Sequence, residues 1–239
     1  MICGRVRQNI YQTYVITTSM QPAGISRVFK KQNKLFTENL KTCNGMKVYN
    51  ERLISYKGRE FRSWNPYRSK FAAALLNGLK NINITESSKV LYLGAATGTT
   101  VSHISDIVED GVIYAIENSP VATKHLLELS QKRKNIIPLL ADANHPDRYS
   151  SMVPPVDLIY QDISQRNQAE IFIHNAKRYA KEGGQGIIMV KVRSIDVSLE
   201  PKQAYQSVTN TLKEYGFNVV NMIELSPYEK DHAAIFITL

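Results

Sequence analysis

The sequence predicts an α/β fold: a doubly wound, mostly parallel sheet with one antiparallel edge strand, preceded by a small antiparallel β meander. Three observations carry this. From Lys70 onward the apolar runs VLYLG, VIYAIE, NIIPLLA, VDLIYQD and GIIMVKV alternate with segments of helical period. Runs that are apolar on both faces and interleaved with helices belong to a parallel sheet covered on both sides. Before Lys70 the texture is different, with short aromatic-punctuated segments divided by turn signals.

In chain order, residues 1–19 lack the long apolar centre of a secretory signal and read as a frayed extension, with Met20 as an alternative start. Residues 20–63 make the small β domain. Its segments SRVFKK, KLFTENL, MKVYNERLISY and REFRSW are separated by Asn44-Gly45 and Lys57-Gly58, which predicts the meander. Residues 64–239 make the large domain. Its first helix follows from Ala72, Ala73, Leu75, Leu76 and Leu79 at i, i+3, i+4 spacing. Ser119-Pro120 caps a later helix, while Pro201 opens another that Gly216 closes. FNVVNMIEL, the turn SPYEKD and HAAIFITL read as a strand pair containing the antiparallel edge.

Composition narrows the function. A chain of 239 residues with 43% hydrophobic content can bury a substantial core. Thirty Lys and Arg against 21 Asp and Glu give a net charge of +9, which points to a polyanionic partner. Cys3 and Cys43 are too few for a disulfide framework or a four-cysteine zinc site. They suit a reducing cytosol, so a cytoplasmic protein without a metal is expected. No apolar run approaches the ~20 residues of a membrane span. The entrance of the first helix carries Arg68 and Lys70, with Arg62 just before it. A helix dipole disfavours cations there by ~0.3–1 kcal/mol each, so a negative visitor is expected.

In a doubly wound sheet the ligand lies beyond the carboxyl ends of the strands. The first such end, GAATGTT, offers Gly94, Ala95, Ala96, Gly98, Thr99 and Thr100, small residues that let a ligand approach the backbone. It matches neither GxGxxG nor GK[ST]. The second end places Glu117 and Asn118 roughly 20 residues past the glycines, where a carboxylate accepts ribose hydroxyls. The third places Asp142 and Ala143 where an adenine edge would lie. Taken together the three ends describe an adenosine-shaped site. A dinucleotide needs a pyrophosphate cradle, which this loop lacks. Asp162, at the fourth strand end and followed by Ile163, Ser164 and Gln165, instead suits a sulfonium and an ammonium. The Rossmann-like sheet is therefore read as holding S-adenosylmethionine.

The runs REFRSWNPYRSKFAAALL, KVLYLGAATGTTVSHISDIV, YQDISQRNQAEIF, VKVRSID and SPYEKDHA resemble the fibrillarin family from about Arg27 to the C-terminus. The Gly/Arg-rich tail of nucleated organisms is absent, so the likeness is to the archaeal form. Asn118 replaces a usually aromatic or apolar neighbour of the ribose-binding Glu. VKVRSID is more basic than usual, and Ser226 stands where Glu usually precedes Pro-Tyr-Glu.

The resemblance implies 2′-O-methylation of ribose in rRNA and tRNA as the catalytic subunit of a box C/D ribonucleoprotein. It also implies a guide RNA that pairs with substrate RNA, a Nop-family scaffold protein and a kink-turn-binding, ribosomal-protein-like subunit. The residues support such chemistry independently. A ribose hydroxyl must lose its proton as it reacts, and Lys191 ends the fifth strand beside Asp162. A lysine near its reference pKa of about 10.4 is a poor base; a neighbouring cation and desolvation improve it. Lys70 is expected to be that cation, and His232 completes the Lys-Asp-Lys-His set of the resembled family. Arg62, Arg68, Arg166, Arg193 and Lys230 are expected around the mouth as phosphate contacts. Two other classes stay open: a stand-alone methyltransferase of protein or small molecules, which would act without guide and scaffold, and a structural subunit, which would not bind S-adenosylmethionine.

Overall fold

The computed structural model describes residues 19–196 and 198–239. Residues 1–18 of the expected extension lie outside the described residues. Five short strands come first: β1 (Gln21–Pro22), β2 (Val28–Lys31), β3 (Lys34–Glu38), β4 (Leu53–Tyr56) and β5 (Arg59–Trp64). They form an antiparallel sheet in the order β1-β2-β3-β5-β4. This departs from a simple meander at one place, because β5 lies between β3 and β4. Lys57-Gly58 makes the β4–β5 hairpin, with φ of 49° and 73°, as a two-residue primed turn requires. Asn44-Gly45 makes no hairpin. It follows a single 3-10 turn, and the Gly45 N–H donates to the Glu60 carboxylate at 2.9 Å, which ties the loop back to β5.

The large domain follows as α1 (Lys70–Leu76), β6 (Lys89–Leu93), α2 (Thr99–Ile107), β7 (Val112–Glu117), α3 (Pro120–Lys132) and β8 (Ile136–Leu140). It continues through β9 (Val156–Gln161), α4 (Gln168–Tyr179), β10 (Ala180–Lys191), the short α5 (Val192–Ile195), α6 (Pro201–Glu214), β11 (Asn218–Glu224) and β12 (His232–Thr238). The seven strands lie in the order β11-β12-β10-β9-β6-β7-β8. β6 through β10 pair in parallel. β12 is antiparallel to both neighbours, so the antiparallel strand sits one place inside the edge and β11 is outermost. The chain winds outward from β6 to β8 and returns at β9, which makes the switch point lie between β6 and β9.

The expected helix punctuation is present. Ser119 Oγ accepts the Ala122 N–H at 3.3 Å with Pro120 in the first turn of α3. Pro201 opens α6, and Gly216 follows it with φ of +89°. The strands alternate between two cores. Tyr160, Met189 and Ala234 face α1 and α2, whereas Ile159, Val190 and Ile235 face α4 and α6. No helix among the described residues is long and apolar enough to cross a membrane.

A buried polar network bolts the small sheet to α2, and it relocates Arg62. Expected among the phosphate contacts, Arg62 is wholly buried. Its guanidinium donates to Glu51 at 2.6 Å, to Asp106 at 2.8 Å and to Ser102 Oγ at 2.9 Å. Burial alone would depress the Arg62 pKa, but Asp106 and Glu51 carry it above the ordinary value. Burial likewise pushes Glu51 up, and Arg62 with the Tyr49 N–H outweighs it, so that carboxyl sits below the usual range. Arg133 donates to the other Asp106 oxygen at 2.6 Å and to Asn39 at 2.8 Å.

His103 lies in the same network, stacked on Trp64 with ring centroids 4.9 Å apart. Burial, aided by Arg62 and Arg133, holds its pKa well below 6.5, so the ring is neutral. The Thr37 hydroxyl donates to Asp106 at 2.6 Å and lies 2.7 Å from His103 Nδ1. The Tyr49 hydroxyl lies 2.7 Å from His103 Nε2 and donates to the Ser63 carbonyl at 3.0 Å.

Candidate active site

Four strand ends converge on one cavity of about 290 Å³. After β6 the chain turns at Gly94, whose φ is +81°. A Cβ there would stand 2.5 Å from the Asp162 carbonyl oxygen and 2.9 Å from Ile163, so only glycine lets the β6 and β9 ends close on each other. At the end of β7, Glu117 is nearly buried. Its two oxygens each accept one backbone N–H at 2.8 Å, from Ala96 and Ser119, which fixes the carboxylate and leaves lone pairs for a ligand. After β8, Asp142 Oδ1 accepts both the backbone and side-chain N–H of Asn144 at 2.9 Å. Those two bonds hold its carboxyl below the usual range, so it is ionised at neutral pH.

Asn144 also donates to Gln165 Oε1 at 3.0 Å, joining the loop after β8 to the loop after β9. Gly94, Glu117, Asn118, Asp142, Ala143, Asp162, Ile163, Ser164 and Gln165, all expected at the site, line one cavity. Ala96, a small residue of the same predicted turn, also lines it, and Ile116 and Ala141 join them unpredicted. Their signal was present, since each is a small or apolar residue within two positions of a predicted one.

Four predicted residues stand elsewhere. Ala95 is buried behind the turn, and Gly98 opens α2 packed against Leu126 and Leu129. Thr99 lines a separate cavity, and Thr100 is buried with its hydroxyl donating to Ser69 Oγ at 3.0 Å. That bond has a use. Ser69 is the N-cap of α1, so Thr100 helps fix the helix entrance that carries Lys70.

At the cavity mouth Lys70 Nζ donates to both Asp162 oxygens, at 2.8 and 3.0 Å, with each side chain about one-fifth exposed. The cation expected beside Lys191 is thus paired with Asp162, a carboxylate it was expected to meet. Asp162 extends the β9 ladder, its N–H donating to Leu93 O at 2.9 Å. Alternation puts Asp162 on the face of Tyr160, Lys191 on the face of Met189 and His232 on the face of Ala234. This is also the face covered by α1, so all four predicted chemical residues gather on one side of the sheet at one end. Lys191 and His232 are directly opposed across β10 and β12. His232 Nδ1 bonds the Lys230 carbonyl at 2.6 Å, which requires the proton on Nδ1 and leaves Nε2 as the outward nitrogen.

The expected phosphate contacts other than Arg62 are exposed. Arg68 lies 5.6 Å from the Tyr49 ring centroid, and Arg193 pairs with Asp231 at 3.1 Å. Arg166 and Lys230 are exposed on the loops after β9 and before β12.

The chemistry of the cavity fits S-adenosylmethionine. A fixed carboxylate at Glu117 matches ribose hydroxyls, an ionised Asp142 matches the adenine amino donor, and Asp162 matches a positively charged tail. A parallel sheet of this order with that acidic series at successive strand ends defines the class of S-adenosylmethionine-dependent methyltransferases. The fibrillarin family model matches residues 17–239. The chain is 51% identical to the fibrillarin-like rRNA/tRNA 2′-O-methyltransferase of Pyrococcus furiosus, over 84% of this chain and 87% of the relative. Aeropyrum pernix fibrillarin, solved with natively bound S-adenosyl-L-methionine, superposes with a TM-score of 0.82 at 39% identity, covering 92% of this chain and 97% of that one. The fibrillarin of a fibrillarin/Nop5p complex gives a TM-score of 0.81 at 44% identity, covering 89% and 97%. The chain belongs to the fibrillarin family.

Proposed function

We propose that this chain methylates ribose 2′-hydroxyls of RNA with S-adenosylmethionine, as the catalytic subunit of a guide-RNA-directed box C/D particle. The observation that carries the reading is the Lys70–Asp162 pair at the mouth of an adenosine-shaped cavity, on the same sheet face as Lys191 and His232. When bound, S-adenosylmethionine supplies a methyl group activated on a sulfonium. Glu117 holds the ribose, Asp142 the adenine amine, and Asp162 faces the charged tail. Lys70 fixes the Asp162 carboxylate by two bonds, so its orientation is set before a ligand arrives. Lys191 is the group placed to take the proton from ribose O2′. His232 Nε2, opposite it, accepts a hydrogen bond from the same sugar or its water.

Arg68, Arg166, Arg193 and Lys230 hold phosphates without reading bases, since no aromatic RNA-reading module accompanies them. Target choice then falls to a guide RNA, and positioning to a Nop-family scaffold, an assignment the fibrillarin/Nop5p complex supports. A kink-turn-binding subunit would complete the particle. The relative named for rRNA and tRNA supports both substrates, and RNA work of this kind fits the cytoplasm. The test is mass spectrometry of RNA incubated with labelled S-adenosylmethionine, guide RNA and scaffold. Methyl groups on ribose that require the guide support the reading. Label on protein, or methylation without the guide, opposes it.

A further inference from the structure

β10 outruns its parallel neighbour. β9 pairs with it only as far as Gln161 opposite Ile188. Met189, Val190 and Lys191 therefore extend past the last rung on that side. On the other side β12 continues, with Lys191 opposite His232. The Val192 N–H donates to Asp231 O at 3.2 Å, which makes Lys191–His232 a non-hydrogen-bonded pair. That geometry brings the two side chains close, and it turns the N–H and C=O of Lys191 toward the β9 side. Without a partner there, both groups would be orphaned beside the site.

The side chain of Gln168 takes the place of the missing strand. Gln168 is the first residue of α4 and is wholly buried. Its Oε1 accepts the Lys191 N–H at 3.2 Å, and its Nε2 donates to Lys191 O at 3.3 Å. The same Nε2 donates to Gln165 O at 3.1 Å, while Gln161 Nε2 fixes the Gln168 carbonyl at 2.6 Å. One N–H and two carbonyls need an acceptor and a donor from one side chain. A carboxamide of this length supplies both; a carboxylate or an apolar chain does not.

We infer that Gln168 is the positioning residue for Lys191. Its amide supplies the rung that β9 lacks, and so sets where the lysine amine meets the ribose hydroxyl. It also ties that lysine to the cofactor loop through Gln165. This rests on the reading of Lys191 as the base.

Gln168→Met keeps the length and removes the amide; Gln168→Glu keeps the acceptor and loses the donors. In the assembled particle with saturating S-adenosylmethionine and RNA, each should lower the single-turnover rate roughly 10- to 100-fold, the scale of a small misplacement of a reacting group. The decisive readout is the same substitution in a Lys191→Ala background, where Gln168→Met should change the residual rate by less than about twofold, because both changes remove one function. An equal loss in both backgrounds, or a wild-type rate for Gln168→Met alone, overturns the inference. Hydrogen exchange on the unaltered protein gives a second arm that no folding failure can spoil. The Lys191 amide should exchange as slowly as the paired amides of β10, and a fast Lys191 amide overturns the inference. Should Lys191→Ala prove fully active, the base reading fails, while a Lys191 amide that is slow in the unaltered protein and faster in Gln168→Glu still supports the positioning.

Discussion

Asp106→Asn changes one atom and should unfold the chain far more easily. Asp106 is completely buried and accepts three bonds: Arg62 and Thr37 on Oδ2 at 2.8 and 2.6 Å, and Arg133 on Oδ1 at 2.6 Å. The local charges are Arg62 and Arg133 against Asp106 and Glu51, which sum to zero, with His103 neutral. Asparagine leaves an uncompensated positive charge in this interior. It also turns an NH2 group toward one of the arginines, donor against donor. Removing one partner of a buried ion pair costs about 3–5 kcal/mol. Against a total of about 5–15 kcal/mol that is a large share, and for a chain of this length it lowers Tm by about 6–20 °C. Urea unfolding followed by circular dichroism, with exposed Asp110→Asn as the control, measures it. A loss below about 1 kcal/mol would refute the reasoning, because it would mean that the arginines reach water or other acceptors.

Four further outcomes follow from the site and the network. Lys191→Ala should cut the single-turnover rate by about 10²–10⁴ with cofactor affinity nearly unchanged, and Lys191→Arg should not rescue it, because guanidinium keeps its proton; a fully active Arg variant would leave the proton to water. Glu117→Ala should weaken S-adenosylmethionine binding by about 1.5–3 kcal/mol, or roughly 10- to 150-fold by calorimetry; unchanged affinity removes Glu117 from the site. Arg68→Ala should weaken RNA binding and reduce its salt dependence by about one counterion without altering Tm, whereas Arg62→Met should lower Tm without altering the salt dependence, and the reverse pattern would return Arg62 to the RNA face. Stability should also fall with acid: His103 has a folded pKa below its unfolded 6.5, so the unfolded chain binds the extra proton once pH drops under that value. The slope should approach about 1.4 kcal/mol per pH unit near pH 5, with Glu51 adding a further loss below 4.5; denaturant midpoints that stay flat from pH 7 to 5 would contradict this.

The parallel sheet was legible because its strands are buried on both faces, and continuous apolar runs such as VLYLG record that directly. The candidate cofactor cavity was legible because its position is fixed by topology, and the acidic residues fall at strand ends in order. The small sheet was less so. Asn44-Gly45 is a sound turn signal, but a turn signal does not say which strands it joins, and β5 inserts between β3 and β4. Arg62 was misplaced for a related reason. Its nearness in sequence to Arg68 and Lys70 suggested a shared mouth, while its ion-pair partners lie at Glu51, in the loop before β4, and at Asp106, in α2. Strand alternation offered one hint. Arg62 shares a face of β5 with Trp64, and a residue beside a wholly buried tryptophan faces the interior.

The same alternation separates what sequence can and cannot say about the proposed chemical centre. Counting by twos from Tyr160, Met189 and Ala234 puts Asp162, Lys191 and His232 on one face, so their convergence follows from strand register alone. Lys70 joins them only because α1 covers that face and Ser69 holds its entrance against Thr100, contacts between elements that no local period encodes. Gln168 is further still from view. A glutamine opening a helix reads as an ordinary polar residue, and its use depends on β9 stopping three residues before β10 does. Where parallel strands end unevenly beside a switch point, the longer strand exposes unpaired backbone next to the candidate site. A buried amide from the next helix is one of few groups able to satisfy an N–H and a C=O together, so at such steps in a sheet edge the supporting residue is found by asking where the backbone bonds go.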